Sequence, residues 1–295
     1  MTGEVEAQSV LVVGAGFMGS GIAQICAQAG YQVYLMDAKR EALDHALNTI
    51  QRSLEKLSSK NLLKTDPRVV LKRISTENGL GSAANVGWIV EAVFEDVELK
   101  QDIFRQLDQL APPGTPLASN TSCIPIARIA QATRYPERVL GLHFFGPVPL
   151  MPLVEVIRGD NTSSEIFERG VAFVVSLGKS PLRVNRDIPG FVVNRILNSA
   201  LKEAIDLVDQ GIASPEEIDL GLQLGLGWRP GLFEIADNAG LDTCLRVGQS
   251  LKELGEESML SKSDILKRMV AKGHLGRKVG KGFYRYTNDG KRLQR

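Results

Sequence analysis

His143 and Glu155, twelve positions apart, are the residues whose types and spacing best fit chemistry. His143 is one of three histidines. It stands in Gly141-Leu142-His143-Phe144-Phe145-Gly146-Pro147, at the end of an expected strand, where open α/β sheets place their ligands. His45 falls on the polar side of a helical pattern and His274 follows a helix-ending glycine, so both read as solvated. A histidine alone at a strand end is more often a packed core residue than a catalyst. Glu155 alters that balance. In Leu153-Val154-Glu155-Val156-Ile157 the two-residue period of a strand puts Glu155 on the face of Leu153 and Ile157, and neither face looks solvated. A buried carboxylate is costly unless paired or protonated. The nearest candidate partner is His143, because the segment 147–152, with three prolines, can turn the chain back. The bland alternative is a glutamate solvated at a sheet edge. A carboxylate beside an imidazole fixes its tautomer and stabilises the imidazolium. Removal of hydride from an alcohol carbon needs such a base, since the hydroxyl proton must go to a group whose pKa lies near the working pH. No set of residues has metal-ligand spacing.

A hydride needs an acceptor, and a second motif supplies a place for one. Gly14-Ala15-Gly16-Phe17-Met18-Gly19 follows an apolar run, 9–13, and opens a helical pattern. The first glycine permits a tight turn, the second lets backbone approach a pyrophosphate, and the third lets helix and strand pack closely. The pyrophosphate would rest on the helix N-terminus, where free N–H groups and the dipole favour anions. Phe17 and Met18 complete the cofactor-binding turn. Such a turn also occurs as plain structure, so its context matters. Asp37 ends the next strand, eighteen positions after Gly19, where a carboxylate binds the ribose 2′-hydroxyl and repels a 2′-phosphate. NAD is therefore expected rather than NADP, with Lys39 and Arg40 near enough to temper the preference.

The elements that would position these groups alternate. Strands are expected at 9–13, 31–36, 87–93, 116–119, 139–144, 153–157 and 182–185. Helices are expected at 17–29, ended by Gly30, and at 99–110, ended by Pro112-Pro113-Gly114. Between them lies a long amphipathic helix with Leu43, Ala46, Leu47, Ile50, Leu54 and Leu57 on one stripe. This pattern predicts an α/β fold with a parallel-rich sheet covered on both faces. From Gly190 onward the chain reads as helix. Ser214-Pro215-Glu216-Glu217 is a helix start, and further helices are expected at 241–254 and at 264–272, stopped by Gly273. A domain boundary is placed between 187 and 188, giving an α/β domain over 1–187 and an all-α domain over 188–295.

Composition narrows the function. The 295 residues include 43% apolar and 23% charged residues, ordinary for a globular protein. Lys+Arg number 35 against 34 Asp+Glu, a balance that argues against general nucleic-acid binding. No apolar run reaches membrane-spanning length. The start, MTGEVEAQSV, is polar and lacks the features of a secretory or transit segment. Three widely separated cysteines suit a reducing compartment, and a cytoplasmic protein is expected.

These residues lie within a longer series of motifs. GAGFMGSGIA, EAVFEDVELK, ASNTS, HFFGPVPLMPLVEVI, LGKSPLRVNRDIPGFVVNRIL, GWRPGLFEIADNAGLDT and GRKVGKGFYRY occur in order from Val10 to about Tyr286. In this the chain resembles the 3-hydroxyacyl-CoA dehydrogenases. The resemblance implies a Rossmann-like N-terminal domain, a helical C-terminal domain for substrate and dimerisation, a homodimer, and NAD-dependent oxidation of an L-3-hydroxyacyl-CoA to the 3-ketoacyl-CoA, with the reverse reaction open. It also implies roles. His143 corresponds to the catalytic base and Glu155 to its partner. Ser122 corresponds to a serine that hydrogen-bonds the substrate hydroxyl or the histidine. Asn194 corresponds to an asparagine at the domain junction that faces the substrate. Glu95 and Lys100 correspond to residues near the nicotinamide side, and Ser53 and Lys60 to positions on the long helix that contact coenzyme A. Read as bare residues, Ser122 is as well a turn residue, Asn194 a polar helix start, Glu95 with Lys100 a solvated charge pair, and Ser53 with Lys60 a solvated helix face. One position departs from the pattern: Gly146 stands where the family carries asparagine, which leaves the acyl group or its carrier open. The same hydride chemistry on an acyl-carrier-protein thioester or a free hydroxy acid is the alternative, and a non-catalytic NAD-binding structural protein a third.

Overall fold

The computed structural model describes residues 9–257 and 260–293, so the polar segment 1–8 lies outside the described residues. Residues through Phe191 pack as one compact unit and those from Val192 as another.

The first unit is built around one eight-stranded sheet. Its strands are β1 (Ser9–Val13), β2 (Gln32–Met36), β3 (Ile74–Glu77), β4 (Trp88–Glu91), β5 (Leu117–Ser119), β6 (Val139–Phe144), β7 (Leu153–Ile157) and β8 (Ser180–Val184). They lie in the order β3-β2-β1-β4-β5-β6-β7-β8. All neighbours are parallel except β6 and β7. The helices of this unit are α1 (Phe17–Gln28), α2 (Arg40–Ser59), α3 (Pro67–Leu71), α4 (Val97–Leu110), α5 (Ile126–Ala130) and α6 (Ser164–Ser176). β1 is flanked by β2 on one side and β4 on the other, so the order reverses there. Connections leave the carboxyl ends of these two strands in opposite directions and open a crevice between them.

Parallel strands covered by helices are buried on both faces. Accordingly β4 and β6 are buried at every position. In α2, Leu43, Ala46, Ile50, Leu54 and Leu57 are buried on one stripe, each leucine contributing about 1.5–3 kcal/mol. Expected and observed bounds agree within a few residues for seven strands. β3, α3, α5 and α6 were not anticipated. The helix α6 had a visible signal: Ser163 caps it by accepting from Ile166 N, and Ile166, Phe167, Gly170, Phe173 and Val174 are buried at helical spacing.

The second unit is helical, with α7 (Val193–Asp209), α8 (Pro215–Leu226), α9 (Leu232–Ala239), α10 (Leu241–Glu253) and α11 (Ile265–Ala271). Ser214 and Glu217 form the expected capping box. Two buried aspartates hold the C-terminal GKGFYRY segment. Asp237 accepts hydrogen bonds from Phe283 N and Tyr284 N, both at 2.9 Å, and from the Tyr286 hydroxyl at 3.0 Å. Asp219 accepts from Phe233 N and from the Tyr284 hydroxyl at 2.7 Å. Burial pushes the Asp237 carboxyl up despite these donors. Gly282 of the segment is required: a Cβ there would sit 2.0 Å from Asp237 Oδ1.

Candidate active site

The histidine and the glutamate meet. His143 and Glu155 are register partners on the antiparallel strands β6 and β7, so their side chains leave the same face of the sheet. His143 Nδ1 lies 2.7 Å from Glu155 Oε2, with the histidine 4% and the glutamate 0% exposed. The segment 147–152 is the turn that brings β7 back beside β6. Lys179 holds it, donating from Nζ to the carbonyls of Val148 and Met151, both at 2.8 Å. Two rings flank the imidazole, Phe145 with its centroid at 4.5 Å and Phe191 at 5.7 Å. Phe191 is buried with φ +48°, a left-handed backbone that costs a bulky residue about 1–3 kcal/mol. Residues 188–191 belong to the α/β unit, and the boundary expected between 187 and 188 lies four residues earlier.

The carboxyl ends of β4 and β5 lie in order beside β6, and a second network joins them. Lys100 Nζ, fully buried, lies 2.6 Å from Glu91 Oε1 and 3.5 Å from Glu95 Oε2. Glu91 also accepts from Ser119 Oγ at 2.6 Å and Val93 N at 2.7 Å. Glu95 Oε1 accepts from Thr121 Oγ1 at 2.6 Å, Ser122 N at 2.7 Å and Cys123 N at 3.0 Å. Asn120 Oδ1 accepts from Phe144 N at 2.9 Å, tying the end of β5 to the end of β6. Ser122, half-buried, is therefore held by the glutamate that the sequence paired with Lys100. The bare reading of Glu95 with Lys100 as a solvated pair does not hold for Lys100: its ammonium is buried and paired with both Glu91 and Glu95. Glu91, Ser119, Asn120 and Phe191 were not singled out from sequence. Glu91 carried a signal like that of Glu155, a charge within an apolar run.

The glycine turn lies at the crevice beside β1. Gly14 has φ +104°, and a Cβ there would stand 2.7 Å from the Ala92 carbonyl oxygen; one on Gly19 would stand 1.8 Å from the Gly14 carbonyl oxygen. Both are glycine by steric necessity. Gly16, by contrast, has nothing within 4 Å of its would-be Cβ, which leaves room over the turn. It is also the N-cap of α1, and α1 has neither a side-chain cap nor an acidic residue in its first turn. Uncapped N–H groups facing a bare backbone suit an anion. Asp37 Oδ2 accepts from Ala15 N at 2.9 Å, and Oδ1 from Lys39 N at 2.9 Å. The carboxylate expected for a ribose thus stands beside the turn, and the residues present fit a dinucleotide. Phe17 and Met18 extend from the turn toward Gly146.

The remaining candidates stand on other elements. Ser53 is half-buried on α2, and Lys60 is exposed as the residue that caps its C-terminal end. Asn194 is half-buried in the first turn of α7, in the helical unit. His45 is exposed and His274 half-buried. Among the described residues no group of three or more His, Cys, Asp or Glu side chains is placed to hold a metal ion. No described helix is long and apolar enough to cross a membrane.

Comparison with known proteins covers most of the chain. Residues 9–188 match the family described as 3-hydroxyacyl-CoA dehydrogenase, NAD binding domain, and residues 190–286 match its C-terminal domain. A probable 3-hydroxybutyryl-CoA dehydrogenase of Deinococcus radiodurans is 46% identical over 275 residues, 93% of this chain and 99% of that protein. The human mitochondrial hydroxyacyl-coenzyme A dehydrogenase is 42% identical over 285 residues, 94% of this chain and 90% of that one. Among solved structures, the (S)-3-hydroxybutyryl-CoA dehydrogenase of Ralstonia eutropha superposes with a TM-score of 0.89 at 39% identity, covering 96% of this chain and 100% of its own.

Proposed function

Given that this chain belongs to the 3-hydroxyacyl-CoA dehydrogenase family and is an NAD-dependent oxidoreductase acting on a coenzyme A thioester, we propose that His143 is its general base and Glu155 the group that orients and charges it. The single observation that carries this reading is the buried 2.7 Å contact between His143 Nδ1 and Glu155 Oε2. With Nδ1 engaged by the carboxylate, Nε2 is the nitrogen left for the substrate hydroxyl. In the oxidative direction Nε2 takes the hydroxyl proton of the 3-hydroxyacyl group while the carbon loses hydride; in the reverse direction the imidazolium returns it. The Glu155 carboxylate stabilises the imidazolium in both. NAD, when bound, supplies the hydride acceptor. The glycine turn 14–19 and the uncapped start of α1 would hold its pyrophosphate, and Asp37 its ribose.

Ser122 is the proposed hydrogen-bond partner of the substrate oxygen, supported by the three donors that fix its loop on Glu95. Glu95 is assigned to the nicotinamide side, with Lys100 acting through it. Asn194 is assigned to the substrate, and Ser53 and Lys60 to the coenzyme A portion, on the motif match alone. The names of the relatives favour a four-carbon acyl group, so 3-hydroxybutyryl-CoA is the proposed substrate.

A homodimer is proposed through the helical unit on the family resemblance, and Ile196 on α7 and Leu220, Leu224 and Leu226 on α8 are exposed apolar side chains there. The free cysteines fit a cytoplasmic setting. The deciding experiment is NADH oxidation with acetoacetyl-CoA by the parent protein and by His143→Gln. Turnover is expected in the parent and lost in the variant, with NADH binding retained. Normal turnover in the variant overturns the base assignment, and turnover of free acetoacetate equal to that of the thioester overturns the carrier.

A further inference from the structure

Phe17 is an exposed aromatic side chain with an unusual support. It is the first residue of α1, directly after the glycine turn, and 69% of it is exposed. Its ring rests on Gly146, three residues beyond His143. A Cβ built on Gly146 would lie 2.6 Å from Phe17 Cε1 and 3.6 Å from Met18 Sδ. The first of these is closer than any real Cβ contact. A second close approach lies one helical turn on: a Cβ on Gly21 would meet Val148 Cβ at 2.8 Å. The cofactor helix and the loop of the catalytic hairpin are thus pressed together along two bare-backbone contacts. At the outer one a flat apolar face is left open to solvent. What sets this ring apart from an ordinary exposed apolar side chain is its place: it opens the helix that follows the glycine turn, and bare backbone beside His143 seats it.

We propose that Gly146 and Phe17 are a size-matched pair in which the missing side chain of one seats the ring of the other, and that the seated ring is the apolar wall against the nicotinamide end of the coenzyme. This rests on the assignment of the turn to NAD. The turn itself can serve only the pyrophosphate, since its glycines offer backbone alone. A ring projecting from it toward the His143 hairpin lies on the path from the phosphates to the reacting carbon. Gly146 is then a specificity-determining position that acts through Phe17. Any side chain there displaces the ring instead of unfolding the protein, because the atom it meets is the far end of a surface side chain.

The test is a double-substitution cycle, Phe17→Ala, Gly146→Ala and both together, read by binding of NADH and of ADP-ribose, which lacks the nicotinamide. Phe17→Ala is expected to weaken NADH binding by about two-fold to ten-fold, the range of an aromatic contact, and to leave ADP-ribose within two-fold. Gly146→Ala is expected to do the same, and the double variant to be no weaker than Phe17→Ala alone, since contacts that share one partner are not additive. Equal losses for NADH and ADP-ribose, additive losses, no loss, or an effect confined to the KM of acetoacetyl-CoA would each overturn the pairing. Turnover by the unmodified protein separates the two levels: its absence defeats the dehydrogenase reading and this inference with it, whereas its presence with an additive cycle defeats the inference alone.

Discussion

Replacing Glu155 by glutamine removes the charge of the pair and little else. The amide keeps the size of the carboxyl and can still accept from His143 Nδ1, so the 2.7 Å contact survives in the ground state. What it cannot do is balance the imidazolium that forms as the substrate loses its proton. Both groups are buried, so water does little to compensate. Opposite charges about 4 Å apart at an effective dielectric near 20 attract by about 4 kcal/mol. At 1.36 kcal/mol per decade, that is about a thousand-fold in kcat. The loss should appear in kcat rather than in cofactor affinity, because the turn and Asp37 are untouched. The assay is steady-state loss of NADH absorbance with acetoacetyl-CoA, alongside NADH binding by fluorescence and unfolding in urea. A variant that folds, binds NADH as the parent does and turns over within ten-fold of it would refute the reasoning, since the carboxylate charge would then be idle. Glu155→Ala should add a stability loss of about 1–3 kcal/mol by leaving a buried donor unpaired.

Three further outcomes are expected. Asp37→Ser should shift the preference between NADPH and NADH toward NADPH by about ten-fold or more, measured as a ratio of kcat/KM values, because the carboxylate that repels a 2′-phosphate is gone. Asp108 is buried against Arg138 at 2.7 Å and bonded by Arg134; burial raises its carboxyl, but the hydrogen bonds from both arginines outweigh it and hold the group below the usual carboxylate range. Its contribution is therefore complete above the ordinary aspartate value and lost as pH falls through the depressed one, so Asp108→Asn should cost about 3–5 kcal/mol near neutrality, by urea unfolding, and lessen the further loss in acid. Lys179→Met should free the loop that joins β6 to β7, lowering kcat while costing about 1–3 kcal/mol of stability.

The parts of the fold that could be read from sequence were those with a local signal. β1 with its glycine turn, the stripe of α2, the capping box at Ser214 and the apolar runs of β6 and β7 each declare themselves within a single short stretch of chain. β3 did not, because Ile-Ser-Thr-Glu carries one buried residue in four and becomes a strand by pairing with β2. The site divides the same way. His143 and Glu155 were legible because a charge inside an apolar strand demands a partner. As a bare charge Lys100 reads as surface, although it stands four and seven positions before Phe104 and Leu107 on the buried stripe of α4; the partners that make its burial tolerable come from β4 and the loop after it. Phe191 was silent for a similar reason: its left-handed backbone has meaning only once the His143 ring lies beside it.

The antiparallel step between β6 and β7 is what brings His143 and Glu155, the proposed catalytic pair, together. Every other connection in the sheet runs parallel, and a parallel return needs a crossover of a dozen or more residues. Here Glu155 follows His143 by only twelve positions, and the short turn 145–152 brings it directly opposite. Register then decides the chemistry. Side chains alternate along a strand, so a slip of one residue would turn Glu155 to the far face and bring Val154 or Val156 opposite the imidazole. The register is fixed by packing that involves neither residue: Gly141 lies opposite Ile157 with no room for a Cβ, which would stand 2.9 Å from Ile157 Cβ. Beyond the strands, Lys179 fixes the turn. The meeting of His143 and Glu155 thus depends on a glycine at one end of the hairpin and a lysine at the other.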